Sequence, residues 1–139
     1  MILLRWNSTA TTVAGITSSY GSAADKLWSP CGIAVGLTNT LFIADAGNKR
    51  VQKYIEGASS GTTIAGLGTG SNGTLDLPVD IAVDSSDGAY IVDTSSDRIM
   101  FWRANASVGR QVAGSTSKKK SSPTMSSHLK YIYSETQIR

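Results

Sequence analysis

A chain of 139 residues with 40% hydrophobic and 17% charged content has a globular composition and the length to bury one core, and no apolar run approaches the roughly 18–20 residues of a membrane span. One cysteine, Cys31, and one histidine, His128, exclude an internal disulfide and the usual four-ligand zinc sites, so no metal or cofactor is expected. The formal charge of +3 is uneven: residues 1–117 hold eight Lys/Arg against nine Asp/Glu and residues 118–139 hold five against one, so the near-neutral body lacks the basic face that tracks phosphates and nucleic acid is not an expected partner.

The chain opens on Met1-Ile2-Leu3-Leu4, an apolar run that Arg5 interrupts far short of a signal-peptide core. From Leu3 onward the residues anticipate a pattern that returns twice. Leu3 stands opposite Val51 and Ile99, and Trp6 opposite Tyr54 and Trp102, each at intervals of 48. Residues 1–15 therefore read as the outer half of a repeat, and 16–29 as the segment leading into the next.

Residues 30–66 form the first whole copy. Ile33–Val35 and Leu41–Ala44 are short continuous apolar runs, the pattern of strands covered on both faces. Arg50–Tyr54 and Thr62–Ala65 are more mixed, as expected nearer the outside of a sheet. Thr38-Asn39 and Ala46-Gly47-Asn48 supply turn chemistry between the runs. Residues 78–114 repeat this without a gap: twelve of 37 aligned positions are identical. No stretch carries a helical period, and four short strands per repeat of this length describe a β-propeller blade better than a solenoid turn. Beyond Gly114 the pattern fails. Position 126 should be Pro and is Ser126, and residues 116–139 read as a Ser/Lys-rich tail or the degenerate start of a further blade.

The repeat resembles the NHL family: Pro30 and Gly32 ahead of a short strand, an apolar strand ending in Asp45, a turn bearing Asn48, then Arg50-Val51 and the aromatic Tyr54. The second copy matches with Pro78, Asp93, Arg98, Ile99 and Trp102, carrying Asp80 in the Gly place and Ser96 in the Asn place. The resemblance covers about residues 1–115. It implies an all-β, partial β-propeller of four-stranded antiparallel blades: a half blade at 1–15, blades at 30–66 and 78–114, and an irregular tail. It also implies that self-association or additional blades are needed to close the ring.

Residues recurring in every copy are expected to be structural. Asp45/Arg50 and Asp93/Arg98 read as pairs that cap turns and hold blades together, since catalytic groups are rarely duplicated in each repeat. Tyr54 and Trp102 read as packing anchors of their own blades. Trp28 differs: Asp76 stands opposite, and it lies in a segment leading to an inner strand. Trp28, Asp76 and Asp80 are therefore the candidate contacts with a ligand or partner. Gly66-Leu67-Gly68-Thr69-Gly70 lacks the Lys-Ser/Thr and helix of a phosphate loop and reads as a blade-to-blade connection. Lys118–Lys120 reads as a solvated tail.

Three sequons, at Asn7, Asn72 and Asn105, fall in expected loops. They point to an extracellular parent, although this chain carries no signal peptide. The function expected is a non-catalytic binding or scaffold module that recognises a protein or small ligand through loops around Trp28, Leu75–Asp80 and residues 16–29. Two alternatives stay open. One is a fragment of a propeller enzyme, lyase or lactonase-like, whose catalytic residues lie in missing blades; the other is an RNA-binding propeller.

Overall fold

The computed structural model describes residues 9–114. Trp6, Asn7, residues 1–8 of the expected half repeat at 1–15, and the tail with Lys118–Lys120 and His128 lie outside the described residues. Residues 9–15 carry no strand; the segment from 9 to 29 is held by turns and by one isolated bridge between Ile16 and Ser19. Among the described residues no helix is long and apolar enough to cross a membrane.

Two four-stranded antiparallel sheets follow, each a simple meander. The first contains β1 (Pro30–Val35), β2 (Leu41–Asp45), β3 (Arg50–Tyr54) and β4 (Thr62–Ala65). The second contains β5 (Pro78–Val83), β6 (Ala89–Asp93), β7 (Arg98–Trp102) and β8 (Arg110–Gly114). All four expected strands occur in both copies. β1 starts three residues before the apolar run at Ile33 because Pro30 pairs with Asp45 across a bulge. The same irregularity recurs between Pro78 and Asp80.

Turn geometry keeps the 48-residue register. Asn39 and Asp87, like Lys49 and Asp97, hold left-handed φ at matching corners, positions that Asn and Asp tolerate better than most residues. Asp84 adds a local clasp, its Oδ1 accepting from the backbone N–H groups of Ser86 and Gly88 at 2.8 Å each.

Alternation along the paired strands decides which side chains share a face. Ala34, Phe42, Ala44, Val51 and Ala65 of the first sheet merge into one buried cluster with Ile81, Ala89, Ile91, Met100 and Trp102 of the second. Ala82, Val92 and Ile99 lie on the second sheet's other face, with Tyr90 and Val79 packed beside them. The stacking is head to tail. The near face of the second sheet is the 48-residue counterpart of the far face of the first, which carries Ile33, Ile43, Gln52 and Tyr54.

Gly32 permits the closest approach in this joint. A Cβ there would lie 2.6 Å from Asp80 Cα and 2.8 Å from the Val79 carbonyl oxygen. Lys53 then ties the sheets at one end, donating to Asp87 Oδ2 at 3.1 Å while its Nζ lies 5.3 Å from the Phe42 ring centroid.

Candidate functional site

The recurring polar pairs are structural clamps with one geometry used twice. Asp45 is fully buried at the end of β2, and its Oδ2 accepts from Arg50 Nε at 2.8 Å. The Arg50 guanidinium spreads over the preceding segment, donating to the carbonyl oxygens of Ser22, Ala23 and Lys26. Asp45 Oδ1 accepts from the Trp28 backbone N–H at 2.7 Å, and Asn48 donates both to Asp45 Oδ2 and to the Gly21 carbonyl oxygen.

In the second copy Arg98 Nε donates to Asp93 Oδ2 at 2.9 Å, and its other nitrogens reach the carbonyl oxygens of Ser71 and Thr74. Asp93 Oδ1 accepts from the backbone N–H groups of Asp76 and Leu77. Each buried charge is thus paired and further hydrogen-bonded, the condition under which a buried ion pair is tolerated. The pair belongs to its own sheet and fastens the incoming segment to it.

Tyr54 completes the clamp in the first copy. It is buried, its hydroxyl donates to the Ala24 carbonyl oxygen at 3.0 Å, and burial raises its pKa above the ordinary 10.0. Trp102 occupies the matching place, and its Nε1–H is buried without a hydrogen-bond partner among the described residues.

The three candidate contact residues are held by different neighbours. Asp80 lies on β5 in the joint between the sheets, against Gly32, and its Oδ1 accepts from its neighbour's Ile81 N–H at 2.9 Å. Asp76 is exposed on the segment between the sheets, and Lys49 Nζ donates to its Oδ1 at 2.7 Å. That hydrogen bond and the carboxylate's charge raise the Lys49 pKa.

Trp28 presents a half-exposed indole, its ring centroid 6.0 Å from that of Tyr20 with the planes at 37°. Its backbone is fixed at both ends, by Asp45 on the N–H and by the Gly47 N–H on the carbonyl oxygen at 2.8 Å. Gly47 makes room for the ring, since a Cβ there would lie 2.7 Å from Trp28 Cγ. At the counterparts of these two residues stand Ser95 and Asp76.

Tyr20 escaped the sequence reading because it has no periodic counterpart. That is also the signal that could have found it: it is an aromatic side chain in a Ser/Gly-rich segment whose counterpart, residues 66–77, contains none. Beside it lies a cleft of about 420 Å³ lined by Thr12, Thr17, Ser18, Ser19, Tyr20 and Ser29 together with small and apolar residues. No charged side chain of the described residues lines it. Ser18 and Ser29 both hold left-handed φ. A second cleft of about 300 Å³, lined by Val13, Val35, Leu41, Tyr54 and Ile55 among others, opens on the far face of the first sheet.

No protein-family model matches the chain, and a search of curated proteins likewise found no match. Among the described residues no group of three or more His, Cys, Asp or Glu side chains is placed to hold a metal ion. Asn72 and Asn105 lie on exposed loops, and the Asn72 carbonyl oxygen accepts from Gly109 N–H at 2.7 Å.

Proposed function

We propose that the two sheets are successive blades of an NHL-type β-propeller, and that the chain is a non-catalytic binding module whose recognition surface is the segment 16–29. The repeat itself supports the first part. Two meanders in one register stack so that the far face of one is the counterpart of the near face of the next, an arrangement that further copies extend. Ile33 and Val35 are 66% and 63% exposed, while their counterparts Ile81 and Val83 pack against the first sheet. This supports a further sheet, from additional blades or another chain, as the cover of that face.

One observation carries the binding assignment. At positions 28 and 76 the same backbone N–H is tied to the same aspartate, yet the side chains are an indole and a carboxylate. The fold fixes the backbone there and accepts unlike side chains on it, an indole at one position and a Lys49-paired carboxylate at the other, which is where a repeat scaffold places recognition. The recurring Asp/Arg pairs, by contrast, are fully engaged in holding segments down.

Heteronuclear NMR of the purified chain against small-molecule and peptide libraries tests the reading. Shifts should gather on residues 16–29 and on the Trp28 indole. Turnover of lactone, ester or lyase substrates by the chain, or ligands that map only elsewhere, would overturn it.

A further inference from the structure

We infer that the Tyr20–Trp28 pair and the adjoining cleft form a binding site for a neutral saccharide, an assignment that rests on the binding-module reading and names its ligand class. The repeat separates two kinds of exposed apolar group on this chain. Ile33 and Val35 are exposed where their counterparts are covered by a neighbouring sheet, so their exposure belongs to sheet stacking. Trp28 behaves differently. Its counterpart Asp76 has a neighbouring sheet beside it, is paired with Lys49 from that sheet, and still keeps a side-chain exposure of 52%. Leu67, on the same connecting segment as Asp76, is 75% exposed. A neighbouring sheet therefore touches this part of the connection through one long side chain and leaves about half of the Asp76 side chain exposed, so an extended stack leaves room for the aromatic pair to stay accessible.

The pair is also held in place. The Trp28 backbone is anchored by Asp45 and by Gly47 N–H, and the indole lies over a residue that has no Cβ. An aromatic side chain has few rotatable bonds, so an anchored one offers a large apolar contact at small entropic cost. The cleft beside it is lined by Tyr20 and by the residues flanking Trp28, Leu27 and Ser29; it offers hydroxyls from Ser18, Ser19, Ser29 and the Tyr20 phenol, and from Thr12 and Thr17, which share one hydrogen bond at 3.1 Å.

Each hydroxyl both donates and accepts. That matches a sugar ring, which presents hydroxyls of the same dual character on its rim and apolar C–H groups on its face. A proline-rich peptide, the other common occupant of aromatic grooves, offers mainly carbonyl acceptors and would use half of this capacity. The absence of charged side chains from the described lining disfavours phosphorylated, sulfated or uronic-acid ligands, for which no counter-charge is placed.

The test is titration of the purified full chain, followed by NMR, with cellopentaose, chitopentaose, mannopentaose and galactopentaose. A proline-rich decapeptide and a sulfated oligosaccharide run alongside. At least one neutral saccharide should bind saturably and move the Trp28 indole signal. Trp28→Ala and Tyr20→Ala should each weaken binding by about tenfold or more with thermal unfolding unchanged, and Trp28→Phe should retain most of it. If the peptide or the sulfated sugar moves Trp28 and no neutral saccharide does, the saccharide assignment falls and the binding-module reading stands. If nothing in these arms binds, or if saccharide binding survives both alanine variants, the site is overturned; ligands from broader libraries that shift residues 16–29 would then decide the module reading separately.

Discussion

The Trp28 backbone N–H donates to Asp45 Oδ1 at 2.7 Å, and 48 residues later the Asp76 N–H donates to Asp93 Oδ1 at 2.9 Å. The same bond is made by two unlike residues, so the aspartate recognises the chain's path and not the side chain it carries.

Removing that aspartate should therefore cost far more than removing the tryptophan. Asp45→Ala leaves the Arg50 guanidinium buried without its carboxylate and frees residues 21–28, and loss of one partner of a buried pair costs about 3–5 kcal/mol. Asp93→Ala should cost a similar amount and also loosen the joint between the sheets, because the segment it holds connects them. Urea denaturation of each variant measures both losses.

Trp28→Ala and Trp28→Asp should change stability by no more than about 1 kcal/mol, as surface substitutions do. Trp102→Ala, which empties a fully buried site, should cost about 3–5 kcal/mol. Comparable losses for Trp28 and Trp102 in thermal melts would refute the distinction between a side chain the fold does not depend on and a packing anchor.

Gly32→Ala places a methyl group 2.6 Å from Asp80 Cα, so the two sheets must separate slightly. Overpacking of this kind costs about 1–3 kcal/mol. Differential scanning calorimetry should record the loss.

Tyr54 links stability to alkaline pH. Burial holds its folded-state pKa above 10.0, so the unfolded chain releases the phenolic proton first. The stabilisation is complete below about pH 10 and is lost as pH rises from there through the folded-state value. Tyr54→Phe should remove this component of the alkaline loss. At neutral pH it should cost only about 0.5–1.5 kcal/mol for one hydrogen bond, since Gly61 N–H also donates to the Ala24 carbonyl oxygen. Stability curves of both proteins from pH 7 to about 11 make the comparison.

Ile33 and Val35 should drive concentration-dependent association of the chain. The double variant Ile33→Ser/Val35→Ser should suppress it while leaving the melting temperature nearly unchanged. Sedimentation velocity over a range of concentrations reads the outcome, and a wild-type chain that stays monomeric throughout would count against the open-face reading.

Much of the architecture was legible because a repeat states its pattern twice. The strand runs, the corners at Asn39 and Asp87, and the pairing of Asp45 with Arg50 and of Asp93 with Arg98 all follow a single 48-residue spacing. Periodicity had less to say about the proposed site, whose aromatic residues depart from the repeat. Trp28 was visible as a mismatch with Asp76, but Tyr20 became visible only when the fold laid its ring beside the indole. Asp80, in sequence a contact candidate on a leading segment, is placed by the fold at the joint with Gly32.

By itself the sequence determined the local pattern: which residues become strands, where the chain turns, and that the two halves are alike. Only the tertiary structure decided which of two equivalent side chains is buried. Ile33 and Ile81 occupy the same place in their repeats, yet Ile33 is 66% exposed and Ile81 is 3% exposed. Burial is a property of the neighbour as much as of the residue. Ile81 has the first sheet against it; Ile33, among the described residues, has no sheet on its side.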